Sequence, residues 1–174
     1  YLLLGKARYY SKRFVPALEA FNYVISNYPR ADLIHETKIW HAKTLVRLRN
    51  EEQAIENLQS LLKEEKLKDH IIEDANSAMA MAYVGLDSIN KALYHLNKSV
   101  LIVNKNRTIA KAMITNKKTN VEKLVLTTNN VEQTARNLFI IGQLYRDLKN
   151  IDSSNIAFNT LAKLKKAPKK YSVR

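Results

Sequence analysis

The chain has 174 residues, 46% of them hydrophobic, enough to bury a core as one domain or a short array. Three Gly and three Pro are too few turn-formers for an all-β fold, and no apolar run reaches the roughly 18 residues that a membrane span needs. The absence of Cys excludes disulfides and thiolate zinc sites, and the net charge of +13 is localised rather than general. Residues 98–123 carry seven basic groups against one acidic, 163–174 carry six against none, and the remainder is nearly balanced. Charge placed in this way is most often a solvated surface, and no nucleic acid partner is expected. The chain opens on Tyr1, inside an element, and is read as a piece of a longer protein, so the lack of a leader carries no weight.

The first element to stand out is "FVPALEAFNYVISNYP", with small Ala17 four places before Phe21 and Pro29 eight places further on. The pair recurs as Ala54 and Leu58, Ala92 and Leu96, and Ser154 and Phe158. Twelve residues before each small residue stands another: Gly5, Ala42, Ala80 and Gly142. Three residues after those come Arg8, Leu45, Tyr83 and Tyr145. The units are spaced by 37, 38 and 62 residues. Each unit reads as two antiparallel helices of roughly 14 residues joined by a tight turn. Small residues let the helix axes approach, and the large residue on the second helix fills the space beside them. One such hairpin cannot cover its own apolar stripe, so the units must stack.

In chain order, unit 1 spans 1–31, unit 2 spans 32–67 and unit 3 spans 68–103. A basic irregular insertion at 104–128 precedes unit 4 at 129–165, and 166–174 form a basic tail. "NYPRAD" should end a helix before Pro29, with Asp32 capping the next. "LDSIN" around Asp87 and "KNIDSS" around Asp152 offer acceptors at the second helices' starts, and Asn130 with Gln133 should cap the restart of the array. Within the insertion, "TIAKAMI" could make a short helix and "KLVLTT" has strand-like residues; a loop or decayed repeat and a projecting basic contact surface both stay open.

The period and residue types give an all-α, tetratricopeptide-like helical repeat solenoid, a right-handed stack of helix hairpins, in a family whose unit is normally about 34 residues. Tyr1, Leu4, Gly5, Ala17, Phe21 and Pro29 carry the pattern in unit 1, and Leu138, Gly142, Tyr145 and Phe158 carry it in unit 4. Unit 2 departs, with Lys38, His41 and Glu51 at positions that are usually apolar.

Nothing in the sequence points to catalysis. His35, His41, His70 and His95 are scattered, without a second ligand at metal-binding spacing. Gly5, Gly85 and Gly142 are isolated rather than gathered in a phosphate loop, and no G-x-S-x-G is present. The pairs Glu64–Glu65 and Glu73–Asp74 read as helix-end or surface charges. No enzyme, cofactor or metal is expected. A stacked array presents instead a concave face formed by its first helices. The repeat register puts on it Lys6, Tyr9, Tyr10, Lys43, Arg47, Met81, Phe139, Gln143 and Arg146. Basic and aromatic residues interleaved in this way suit a peptide with acidic and apolar groups. Leu2 and Lys6 replace the Lys and Asn with which chaperone-binding domains of this kind hold a terminal carboxylate, which argues against a co-chaperone.

"YLLLGKARYY" and "RFVPALEAFNYV" resemble the SprE/PorW family, tetratricopeptide lipoproteins of bacterial gliding motility and type IX secretion. "KIWHAKTLVRL", "AIENLQSLLK", "ANSAMAMAYVGLDSINKAL" and "FIIGQLYRDLKNIDSSNIAF" continue the likeness, whereas 104–128 do not share it. The resemblance implies a periplasm-facing protein in the cell envelope, held to the outer membrane by a lipid anchor outside this sequence. Its partners would be the secretion translocon and periplasmic ring components. A lipoprotein scaffold of outer-membrane protein assembly and a generic repeat adaptor remain as alternatives.

Overall fold

The computed structural model describes residues 1–101, 131–164 and 168–171. Among them all regular structure is helical: α1 (Leu2–Tyr10), α2 (Phe14–Asn27), α3 (Ile34–Arg47), α4 (Glu51–Leu62), α5 (Asp69–Gly85), α6 (Ile89–Leu101), α7 (Val131–Asp147) and α8 (Ile151–Lys163). A 3₁₀ turn follows at Lys169–Tyr171. Each helix packs on its successor from α1 to α5, as does α7 on α8, which is the packing of a tetratricopeptide-like repeat solenoid. The chain forms two compact units, Tyr1–Ala92 and Leu93–Arg174. The expected insertion at 104–128 and Asn130 of the expected capping pair lie outside the described residues.

Close axis approach explains the small residues. Ala17, Ala42, Ala54, Ala80 and Ala92 are buried to 1% exposure or less, and Phe21 is fully buried. A β-carbon on Gly5 would meet Phe21 Cδ1 at 2.7 Å, and one on Gly142 would meet Phe158 Cε1 at 2.6 Å. Ser154 adds a bond to the crossing, since its hydroxyl donates to the Gly142 carbonyl at 2.8 Å. A core of Ile39, Ala42, Leu45, Ala54, Leu58 and Leu61 continues into α5 through Ile71, Ala75, Ala78 and Met79.

The turn within each hairpin is built the same way four times. Lys12, Arg49, Asp87 and Lys149 have φ of 60°, 61°, 52° and 58°, and each lies seven residues after its unit's first small residue. The amide of the following residue donates five residues back, from Arg13 to Arg8, Asn50 to Leu45, Ser88 to Tyr83 and Asn150 to Tyr145. This closes the helix's last free carbonyls in the manner of a Schellman motif, with no glycine at the left-handed position.

One capping expectation needs correction. Asp32 is exposed and caps nothing: Ala31 to Leu33 form a turn that makes Leu33 the residue before α3. Thr37 Oγ1 donates back to the Leu33 carbonyl instead, at 2.8 Å. At α8 the expected stretch "KNIDSS" supplies the acceptor: Asn150 Oδ1 accepts the Ser153 amide at 3.1 Å, while Asp152 lies inside the first turn. Asp87 contributes its left-handed backbone to the turn before α6. Pro29 follows the end of α2 as its sequence position requires.

Candidate functional site

Five of the nine expected face residues come together in the first unit, around Trp40. The Tyr9 and Tyr10 rings meet its indole edge-on, with centroids 5.3 and 5.6 Å away. Lys6 Nζ and Lys43 Nζ lie over the indole at 5.4 and 4.7 Å. Arg47 Nε donates to the Tyr9 hydroxyl at 3.2 Å, and Lys6 forms an ion pair with Glu36. Helical spacing accounts for the assembly: Glu36, Trp40, Lys43 and Arg47 fall on one stripe of α3, and Lys6, Tyr9 and Tyr10 on the facing side of α1. The stripe has a packed root and a polar rim. Trp40 and Tyr9 lie against the buried Leu2–Ala17–Phe21 cluster, while Tyr10 is 71% exposed and Arg47 is exposed. Cations held against aromatic faces, with a hydroxyl and a carboxylate among them, can bind acidic and apolar peptide groups together. Trp40 itself has no place in the repeat pattern, since the register puts Leu3 and Ala78 at its position in the neighbouring units. It is the only Trp in the chain, and that was the available signal.

Met81 sits half-buried on α5. The remaining three expected residues, Phe139, Gln143 and Arg146, gather in the second unit. They form the α7 wall of a groove of 400 Å³, opposite Ile151, Ser154 and Phe158 on α8. Of the basic tail, Lys170 and Tyr171 meet α7 beside this groove. Tyr171 lies 5.9 Å from Phe139 between ring centroids, and Lys170 Nζ reaches Glu132 at 2.6 Å.

Of the polar residues that depart from the repeat in unit 2, Lys38 and Glu51 have structural partners. Glu64, in the turn after α4, accepts from Lys38 Nζ at 2.6 Å and stands 2.9 Å from His35 Nε2, which clasps the hairpin. Burial opposes ionisation of Glu64, but Lys38 and His35 outweigh it and hold the carboxyl below its usual range. His41 is held below the ordinary imidazole value by burial. Glu51 is buried and leans on the α5 backbone where Gly85 lacks a side chain. Glu73 is not the surface charge expected of it: it is 6% exposed, and burial with Asp74 nearby pushes its carboxyl up to about 7. Burial, with Lys98 beside it, lowers His95 to about 4. Among the described residues no group of His, Cys, Asp and Glu is arranged to hold a metal ion, and no helix is long and apolar enough to cross a membrane.

Residues 1–31 match a family model described as a tetratricopeptide repeat. No curated protein matches the chain. The match and the stacked hairpins support a tetratricopeptide-repeat protein, and such repeats are protein-interaction modules.

Proposed function

We propose that this chain is a non-enzymatic scaffold of the cell envelope, facing the periplasm, that joins the type IX secretion translocon to ring or motor components of gliding motility. The repeat fold supports the scaffold part of this reading, and the likeness of "YLLLGKARYY" and "RFVPALEAFNYV" to the SprE/PorW family supports the rest. The observation that carries an interaction role is the cluster of Lys6, Lys43 and Arg47 around Trp40, Tyr9 and Tyr10. It gives a partner peptide an aromatic anchor and a cationic rim, which are the residue types that dominate binding energy at interfaces. Anchoring to the outer membrane would come from a lipid outside this sequence.

The test is affinity purification of the full-length protein from gently solubilised envelopes, read by mass spectrometry beside variants Lys43→Glu and Arg47→Glu. Translocon and ring proteins should co-purify and weaken with either charge reversal, while circular dichroism stays unchanged. Recovery of barrel-assembly proteins, or of no envelope protein, overturns the secretion role.

A further inference from the structure

Along α3 one stripe runs carboxylate, indole, ammonium, guanidinium, through Glu36, Trp40, Lys43 and Arg47. Lys43 Nζ rests over the indole at 4.7 Å, and Arg47 Nε donates to the neutral Tyr9 hydroxyl. An indole face and a neutral hydroxyl are weaker acceptors than a carboxylate. Among the described residues Arg47 forms no ion pair. Lys6 differs, since it lies over the indole at 5.4 Å and also pairs with Glu36, in the first turn of α3. The cluster thus holds three cations and one carboxylate, and that carboxylate sits on Lys6. Helix α3 packs against α1 on one side and α5 on the other, so the exposure of Arg47 is set inside the array.

The neighbouring helix specifies what fits. On α5, Met81 stands at the register position of Lys43, and Val84 at that of Tyr9. Met81 is half-buried and Val84 is 40% exposed. The face therefore passes from cations and aromatic rings on α1 and α3 to apolar side chains on α5. A segment crossing it matches this surface with carboxylates over Lys43 and Arg47 and an apolar residue over α5. The Lys6–Glu36 pair is partly exposed, with 23% and 34% of the two side chains open, and pairs of that kind hold weakly. Glu36 released from Lys6 returns to water at the start of α3, where the helix dipole still favours its charge. A single ligand carboxylate that only replaces Glu36 gains little, so the cluster selects segments that carry several.

We propose that the Trp40 cluster receives a partner segment whose acidic side chains are followed by an apolar one. Glu36 occupies the place of one ligand carboxylate until the segment displaces it from Lys6. The inference rests on the interaction role that the proposed function gives this cluster, and it requires none of the secretion partners.

The probe is an amidated, fluorescein-labelled peptide, Gly-Ser-Glu-Asp-Glu-Leu-Phe-Gly, titrated into the full chain at fixed ionic strength and read by anisotropy. Saturable binding is expected, weakened about tenfold or more when the three acidic residues become Gln and Asn. Glu36→Gln should tighten binding by about two- to fivefold, the scale on which an exposed ion pair competes. In a Lys6→Met background the same substitution should leave binding nearly unchanged. Both side chains are partly exposed, and circular dichroism checks that the variants keep the fold. A gain that persists without Lys6 reflects only the field of a removed charge and overturns the exchange, as does a Glu36→Gln variant that binds no better. Absence of saturable binding, or equal binding of the acidic and amide peptides, overturns the ligand class. Phosphatidylglycerol vesicles that bind, and bind better to Glu36→Gln, while the peptide does not, make the occupant a lipid surface and also overturn it. If the peptide fails while envelope partners still depend on Lys43 and Arg47, this inference falls and the proposed function stands. If the peptide binds as expected while no translocon or ring protein co-purifies, the secretion role falls and this inference stands.

Discussion

The Phe21 ring lies so close to the Gly5 backbone that a β-carbon on Gly5 would sit 2.7 Å from Cδ1 and from Cζ. Phe21 is fully buried and cannot swing aside, so the helix axes would have to part. Gly5→Ala is therefore predicted to destabilise the first unit by about 1–3 kcal/mol despite alanine's better helix propensity, as expected of an overpacked core. Phe21→Leu, which supplies room at that point, should recover part of the loss in the double variant. Urea denaturation of the two single variants and the double variant measures both effects. Additive losses would show that the contact does not limit the packing.

The left-handed turn residues give a prediction of opposite sign. Lys12, Arg49 and Lys149 hold φ near +60°, a region disfavoured for residues with a β-carbon by about 1–2 kcal/mol. Replacing any of them with glycine should raise stability by a few tenths to about 1 kcal/mol, the net after glycine's greater entropy when unfolded. Lys12→Val, branched at the strained carbon, should lower it. Shifts in the urea midpoint at constant slope decide the matter.

These two cases show what was legible in the sequence. Gly5, Ala17 and Phe21 were readable because axis approach restricts residue size, and that restriction recurs at a fixed period. The turns were not readable in the same way. Their shape is set by backbone hydrogen bonds, and left-handed positions occupied by Lys, Arg and Asp carry no glycine signal. Trp40 was missed as the centre of its cluster because one large side chain between two units leaves no periodic trace. Register placed Lys6, Tyr9, Tyr10, Lys43 and Arg47 on first helices, but only coordinates reveal that α1 and α3 turn them toward one indole.

Two titrating groups, buried Glu73 and half-buried His95, should give stability opposite pH dependences. The Glu73 carboxyl titrates near 7 in the fold, against an ordinary 4.5, so the folded chain holds a proton that the unfolded chain has lost. Its contribution falls as pH rises from about 4.5 to 7 and stays low above that. His95, lowered to about 4 from 6.5, acts in reverse: the unfolded chain gains the proton first, and stability falls as pH drops from about 6.5 to 4. Glu73→Gln should thus raise the melting temperature at pH 8 more than at pH 5, and His95→Asn should flatten the loss on the acid side. Thermal melts of both variants between pH 4 and 8 test this. A Glu73→Gln shift that is the same at every pH would mean that the carboxyl is not titrating in that range.

Helix α8 offers a direct comparison between two neighbouring polar residues. Asn150 accepts the Ser153 amide and satisfies one of the free donors at the helix start. Asp152, two residues later, is exposed in the first turn, where its charge can favour the helix dipole without holding any one amide. Asn150→Ala should therefore cost about 1 kcal/mol. Asp152→Ala should cost less, and that smaller loss should shrink in high salt as the dipole interaction is screened. Asp32→Ala, at the start where no side chain caps α3, should leave stability almost unchanged. Urea midpoints of the three variants at low and high salt measure the order, and a larger loss from Asp152 than from Asn150 would return the cap to the aspartate.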